Sequence, residues 1–220
     1  MSRPLPWPLS LRVGALVLRP LSRKDVSTWN QIRQINRGWL HKWDATVPEP
    51  NDKPNFSFLD MLVLQRQLVR RGLSLPWALA WDDGWPERPQ RRPPMIGQVT
   101  VSGIARGAAQ SATIGYWIDQ RWAGHDLVPL AVALAADYCF QSLKLHRLEI
   151  DILPENQPSH RVVEKLGFKF DCQRRSLLHI AGVWRDHEAY VMTADEAPVS
   201  LVEHFLAGRQ PPTADWFALE

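Results

Sequence analysis

Cysteine is scarce in these 220 residues: there are two, Cys139 and Cys172. Neither has a partner at metal-ligand spacing, and the seven histidines supply none either, so the sequence predicts no metal site and no disulfide framework. Long apolar runs are missing too. The opening MSRPLPWPLSLRVG is too broken by proline to be the apolar region of a signal peptide, and no stretch approaches the length of a membrane span. The expectation is a soluble, cytoplasmic protein with no membrane partner, whose cysteines are reduced packing residues. Nor does one sign of charge dominate: 26 Lys+Arg against 23 Asp+Glu leave a formal +3, with the basic residues scattered rather than gathered into a stripe. That argues against a nucleic-acid partner.

What the chain does hold is a 45% share of hydrophobic residues, enough for one sizeable core, and eleven tryptophans. Trp39, Trp43, Trp77, Trp81 and Trp85 fall in the N-terminal half. Large aromatics dominate buried area, so most belong to the core, and some can line a cleft.

Periodicity and punctuation give the elements. LRVGALVLR (11–19) reads as a strand, and Ser22 caps a following helical run. FSFLDMLVLQRQLVRRG reads as a second helix ending at Gly72, and the tryptophan-, proline- and asparagine-rich segment before it as an ordered loop or short helix. PWALAW and MIGQVTVSGI are strands joined by a proline-rich surface loop, and SATIGYWI is a third. From Leu127 to Leu143 the chain is apolar nearly all round, the mark of a central helix packed on a sheet. HRLEIDI alternates, with Leu148, Ile150 and Ile152 on one face and Arg147, Glu149 and Asp151 on the other. In PENQPSHRVVEKLGF, Pro154 ends that strand, Asn156 can cap, Pro158 suits a first helical turn, and Gly167 supplies a left-handed stop. RRSLLHI and VWRDHEAYVMT make a C-terminal hairpin, and VSLVEHFLAG one more helix. This order predicts an α/β sheet with helices on both faces.

IGYWIDQRWAGHDL, LHRLEIDILPENQPSHRVVEKLGF and GVWRDH together resemble the GNAT superfamily of acetyl-CoA-dependent N-acyltransferases. More narrowly they resemble its RimJ/RimL type, the ribosomal-protein alanine N-acetyltransferases. The resemblance spans roughly residues 12–194 and implies a single GNAT-like domain, here 1–195. Its central sheet would be mixed but mostly antiparallel, with splayed middle strands, and residues 196–220 would follow as a C-terminal helix and tail.

By the same resemblance, the backbone of Tyr116, Trp117 and Ile118 pairs with the pantetheine arm of acetyl-CoA. Arg121, Trp122, Ala123, Gly124, His125 and Asp126 fill its diphosphate turn, and Leu127 opens the helix behind it. Free N–H groups and the positive dipole end of a helix suit a diphosphate on physical grounds alone. Asp126 is the departure, since glycine or alanine is the family residue at that position. A carboxylate about 5 Å from a phosphate charge, at an effective dielectric near 20, is repelled by roughly 3 kcal/mol, or about a hundredfold in affinity. Either the aspartate is tolerated, because it turns back to cap the helix or because Arg121 and a protonated His125 offset it, or the cofactor site is damaged.

Acetyl transfer to an amine needs a neutral amine, a polarised thioester, a donor for the developing oxyanion and a proton for the departing thiolate. Asn156 corresponds to the family asparagine on the cofactor arm; it also reads as a helix cap. Val163 stands where many of these enzymes carry a tyrosine acid, which leaves Ser159, where RimL-like enzymes place a serine, as the candidate acid. Glu149 is the candidate base, against a reading in which it and Asp151 are merely ion-paired. Backbone N–H groups of Trp117 and Ile118 are placed at the thioester carbonyl. Trp39 and Trp43, after the first helix, are the candidate walls of the acceptor site.

The function implied is acetyl transfer to a protein N-terminal α-amine, that of a ribosomal protein, by a monomer or homodimer. Two alternatives stay open: a small-amine or antibiotic acetyltransferase, and a non-catalytic scaffold with weakened cofactor binding that acts through protein contacts.

Overall fold

A computed structural model describes residues 7–48 and 57–213. Residues 49–55 of the loop before the second predicted helix, and 214–220 of the expected tail, lie outside the described residues.

The chain opens with β1 (Leu11–Val13) and β2 (Leu16–Pro20), a hairpin where the sequence predicts one strand. Gly14 explains the difference. Its φ of +56° reverses the chain where an L side chain would be strained. Ser22 then caps a short 3-10 turn in a capping box with Asp25, leading into α1 (Val26–Ile35) and the short α2 (Arg37–Leu40). A second capping box, Ser57 with Asp60, starts α3 (Phe58–Arg70). Strands β3 (Leu75–Trp81), β4 (Met95–Ala105) and β5 (Ser111–Ile118) follow. The apolar run is α4 (Leu127–Asp137), extended by a π-type turn over Tyr138–Ser142. Next come β6 (Arg147–Ile152), α5 (Gln157–Leu166), β7 (Lys169–Ile180), β8 (Val183–Thr193) and α6 (Leu201–Leu206).

The strands form one eight-stranded sheet in the order β1-β2-β3-β4-β5-β6-β8-β7. Every junction is antiparallel except β5 with β6. That parallel pair holds only at Ser111–Arg147, Ala112–Leu148 and Thr113–Glu149. Beyond Thr113, β5 stays with β4 as far as Ile118, while β6 stays with β8 as far as Ile152. The sheet therefore splits between them.

Alternation along β3 builds the two layers. Trp77, Leu79 and Trp81 join Leu127, Leu130 and the alanines of α4 in the main core. Ala78 faces the other way, into a smaller cluster with Ile32 of α1 and Phe58 and Leu62 of α3. Helices thus cover both faces.

The C-terminal segment belongs to this core. The Asp137 carboxylate at the end of α4 accepts from Ser200 Oγ at 2.9 Å and from the amides of Leu201 and Val202 at 2.7 and 3.1 Å. Leu201 and Leu206 are buried. Cys139 is buried as expected, and burial pushes its thiol up to about 12. Cys172 corrects the expectation: it is exposed on the edge strand β7, where no second layer covers it.

Candidate active site

The split between β5 and β6 opens into a cleft of about 690 Å³. It gathers Tyr116, Trp117 and Ile118 from β5, the turn residues Trp122, Ala123, Gly124 and Asp126, and Leu127 and Val128 from α4. Asn156 and Ser159 come from the start of α5, and Trp39 and Trp43 from the segment after α1. Residues far apart in sequence are brought to one place by the single parallel junction of the sheet.

The edge of β5 presented to the split follows from its register. The Asp119 amide donates to the Ile96 carbonyl on the β4 side at 2.8 Å. Backbone groups alternate in direction along a strand, so Ile118 and Tyr116 turn their N–H and C=O groups away from β4 and into the split. Trp117 turns its own toward β4. Of the two amides that the sequence assigns to the thioester carbonyl, this pleat therefore leaves Ile118 available.

At the turn, Gly124 has φ +90° and Asp126 φ +58°, the left-handed region, and α4 begins at Leu127. The first N–H groups of a helix have no carbonyl four residues back, and Leu127 and Val128 of that first turn line the cleft. This donor set fits an anion of the diphosphate kind. Pro129 contributes no N–H, which trims the set.

Asp126 does not behave as the sequence suggests. Its side chain makes no cap hydrogen bond. The carboxylate instead meets Lys165 Nζ of α5, with Arg209 Nη1 of the C-terminal segment 3.5 Å from its other oxygen. A left-handed backbone points the side chain off the helix end, so it cannot reach back to the first turn. Arg121 does not compensate it either: its guanidinium grips the buried Asp119, Nη2 to Oδ2 at 2.5 Å, and lies outside the cleft, as does His125. Burial works to raise the Asp119 pKa, but hydrogen bonds from Arg121 outweigh it and hold the carboxyl below its usual range.

Asn156 caps α5, its Oδ1 accepting from the Ser159 amide at 3.4 Å, and it also lines the cleft. Ser159 is half-buried rather than solvent-facing. The Tyr116 hydroxyl is buried beside it, close enough to feel the serine electrostatically though outside standard hydrogen-bond geometry. Burial drives the Tyr116 phenol well above its ordinary pKa, and Ser159 offsets part of that rise.

Glu149 lies outside the cleft. It sits where β5 and β6 are still paired, and Arg174 and Arg147 hold its carboxylate. Asp151, one step further along β6, is past the last β5 pairing. Its side chain is 10% exposed, with Arg174 Nη1 3.4 Å away and its Oδ1 lacking a hydrogen bond. Burial raises its carboxyl above the ordinary range, and the neighbouring Glu149 adds to the shift, against Arg174 and His187. Both acids face the same side of the strand and neither is among the residues that line the cleft; they differ in that Glu149 is at the last β5 pairing and Asp151 is past it.

The side of the cleft lined by Trp39, Trp43 and Trp117 is aromatic. The Arg33 guanidinium lies 5.7 Å from the Trp29 ring and 5.6 Å from the Trp117 ring, and Nη2 is 2.5 Å from Asp44 Oδ2. Ala45 bridges Ile180, and the Thr46 amide donates to the His179 carbonyl at 2.8 Å, which ties the Trp39–Trp43 segment to the tip of the β7–β8 hairpin. Gly115, in the middle of the sheet, is exposed, and a Cβ there would meet nothing within 4 Å. Among the described residues no cluster of His, Cys, Asp and Glu could hold a metal ion.

A sheet split between two parallel strands, with a helix N-terminus facing the split, defines a class of transferases that take an acyl group from a coenzyme A thioester. Residues 15–169 match the acetyltransferase (GNAT) domain, and the chain belongs to that family. It is 26% identical over 188 residues to the Escherichia coli [ribosomal protein uS5]-alanine N-acetyltransferase, a match that covers 86% of this chain and 91% of that protein. A shorter match, 45% identical over 94 residues, joins 43% of this chain to 52% of the Bacillus subtilis protein named probable N-acetyltransferase YjcK. The chain thus spans about half the length of that relative. Among solved structures, Mycobacterium smegmatis RimJ in complex with CoA-disulfide superposes with a TM-score of 0.82 at 28% identity, covering 94% of this chain and 98% of that one. The protein is an acetyltransferase of the RimJ/RimL type, and acetyl-CoA is the acetyl donor of its family.

Proposed function

We propose that the protein transfers the acetyl group of acetyl-CoA to the N-terminal α-amine of a ribosomal protein, and does so in the cytoplasm. The observation that carries this reading is one cleft joining a phosphate-type helix N-terminus to an aromatic acceptor wall through the β5–β6 split. The relation to the uS5-alanine N-acetyltransferase over 86% of the chain supports the acceptor. No described helix is long and apolar enough to cross a membrane. The alternative of a scaffold that has lost its cofactor rests on an uncompensated Asp126 and on the absence of a tyrosine at Val163, and the pairing of Asp126 with Lys165 and Arg209 weighs against the first.

Bound acetyl-CoA supplies a thioester whose carbonyl carbon accepts the amine and whose sulfur leaves. The amides at the start of α4 would hold its diphosphate, and the free edge of β5 with Asn156 its arm. The Ile118 amide, turned into the split, is the donor for the developing oxyanion. Ser159 donates a proton toward the departing sulfur, with the Tyr116 hydroxyl behind it. Burial keeps that phenol protonated at neutral pH, so it can donate but does not act as a base. Asp151, past the last β5 pairing, is assigned the amine proton through water, ahead of the Glu149 that the sequence suggests. Its carboxylate is costly to ionise where it sits, which raises its basicity toward that of a useful base. Trp39, Trp43 and Trp117 form the acceptor wall, and the space above Gly115 admits the first residues of a chain.

The test offers the protein acetyl-CoA with peptides copying the N-termini of ribosomal proteins, and in parallel with spermidine and an aminoglycoside. Mass spectrometry then locates the acetyl group. Acetylation of the peptide α-amine with little turnover of the small amines is expected; the reverse preference would reject the protein-acceptor reading.

A further inference from the structure

The C-terminal segment runs back along α4 and is tied at both of its ends. Asp137, at the far end of α4, caps α6. Beyond α6, the Ala15 amide donates to the Pro212 carbonyl at 2.6 Å. Gly14 makes this seat possible, because a Cβ on it would stand 2.1 Å from the same carbonyl oxygen. Between these ties the chain carries Arg209 to the opposite end of α4, where its guanidinium reaches Asp126 at 3.5 Å. Lys165 arrives at the other carboxylate oxygen from α5. Asp126 thus holds two cations beside the turn in the way a bound phosphate would, and the three side chains together carry a net positive charge.

We infer that Lys165 and Arg209 are cofactor-binding residues that take the diphosphate of coenzyme A, with Asp126 as the residue that positions them, and that the C-terminal segment is thereby a strap fastened by the cofactor. This rests on the acetyl-CoA reading above and deepens it. Nothing in the sequence motifs pointed to either cation. Three features agree on the placement: the left-handed Asp126 side chain directed away from its own helix, the two cations converging on it from separate elements, and the glycine seat that fixes the strap's path. Both cations are about half exposed, at 47% for Lys165 and 59% for Arg209, so they can swing from carboxylate to phosphate without being dug out of the core.

The experiment is calorimetric titration of the full chain with coenzyme A and with dephospho-coenzyme A, for the parent, Lys165→Met and Arg209→Gln. Hydrogen exchange of residues 207–213 is followed with and without coenzyme A. Each substitution is expected to weaken binding about three- to tenfold at low salt, with the gap narrowing at high salt, as for a partly screened charge contact. Equal losses toward both ligands are expected, because the diphosphate is common to them, and coenzyme A should slow exchange in the strap. Parent-like affinity in both variants, a loss confined to the ligand with the 3′-phosphate, or exchange indifferent to coenzyme A would overturn the inference. A parent that binds neither ligand would overturn the acetyl-CoA reading itself, which separates the two failures.

Discussion

Tyr116 of β5 and Ser159 of α5 meet across the split in the sheet, the phenol buried and the serine half-buried beside it. A half-buried serine at a helix start beside a buried phenol is the ground for the acid role proposed for Ser159. Ser159→Ala is expected to lower kcat by about a hundredfold, within the range for loss of a general acid, while coenzyme A affinity by calorimetry changes little. Tyr116→Phe should lower kcat less, since the serine still reaches the sulfur. An unchanged kcat in Ser159→Ala would return the residue to its capping neighbourhood.

Asp151 and Glu149 can be told apart by stability as well as by rate. Burial raises the Asp151 pKa, so its contribution to stability is present at low pH, where it is protonated, and is lost as pH rises through the folded value. Asp151→Asn should therefore leave the melting temperature at pH 7 unchanged or higher, while kcat/KM falls by about a hundredfold and the acid limb of its pH profile disappears. Glu149→Gln breaks contacts with Arg174 and Arg147 and should lower the melting temperature while sparing most of the rate. The opposite pattern would restore Glu149 as the base.

The alternation in HRLEIDI, the asparagine cap with Pro158 behind it and the glycine stop at Gly167 were legible because each is a local rule written in adjacent residues. The cleft-lining place of Trp39, Trp43, Asn156 and Ser159 was legible only through the resemblance of the motifs to those of a family. Three matters were not legible at all. The choice between Glu149 and Asp151 depends on where β5 leaves β6, a tertiary event that leaves no mark on either strand. The engagement of Arg121 by Asp119 depends on the burial of that aspartate, which its polar sequence context conceals. The partners of Asp126 are 39 and 83 residues away in the chain, and no spacing rule reaches that far.

The aromatic wall predicts a separation of binding effects. Trp39 and Trp43 line the cleft from the segment after α1, on the side that the hairpin tip holds. Replacing either by alanine should raise the acceptor-peptide KM about tenfold and leave coenzyme A binding unchanged, since truncating an interface tryptophan commonly costs 1–2 kcal/mol or so, about 5- to 30-fold. Equal losses toward peptide and coenzyme A would place these rings on the cofactor side.

Gly14 tests the strap from its other end. Alanine there meets two penalties at once, a φ of +56° that favours a residue without a side chain and a carbonyl oxygen 2.1 Å from the new Cβ. The contact is with backbone, so no rotamer relieves it, and the Pro212 carbonyl must leave the Ala15 amide. Gly14→Ala is therefore expected to cost about 1–3 kcal/mol in denaturant unfolding. It should also expose the residues after α6 to proteolysis, while β2 and the rest of the sheet, held by their own register, stay protected. A cut chain that ends near Gly208 should then lose coenzyme A affinity to the same degree as Arg209→Gln, because both remove one cation from the turn. An intact affinity after that cut would mean that the seat at Gly14 serves the fold alone.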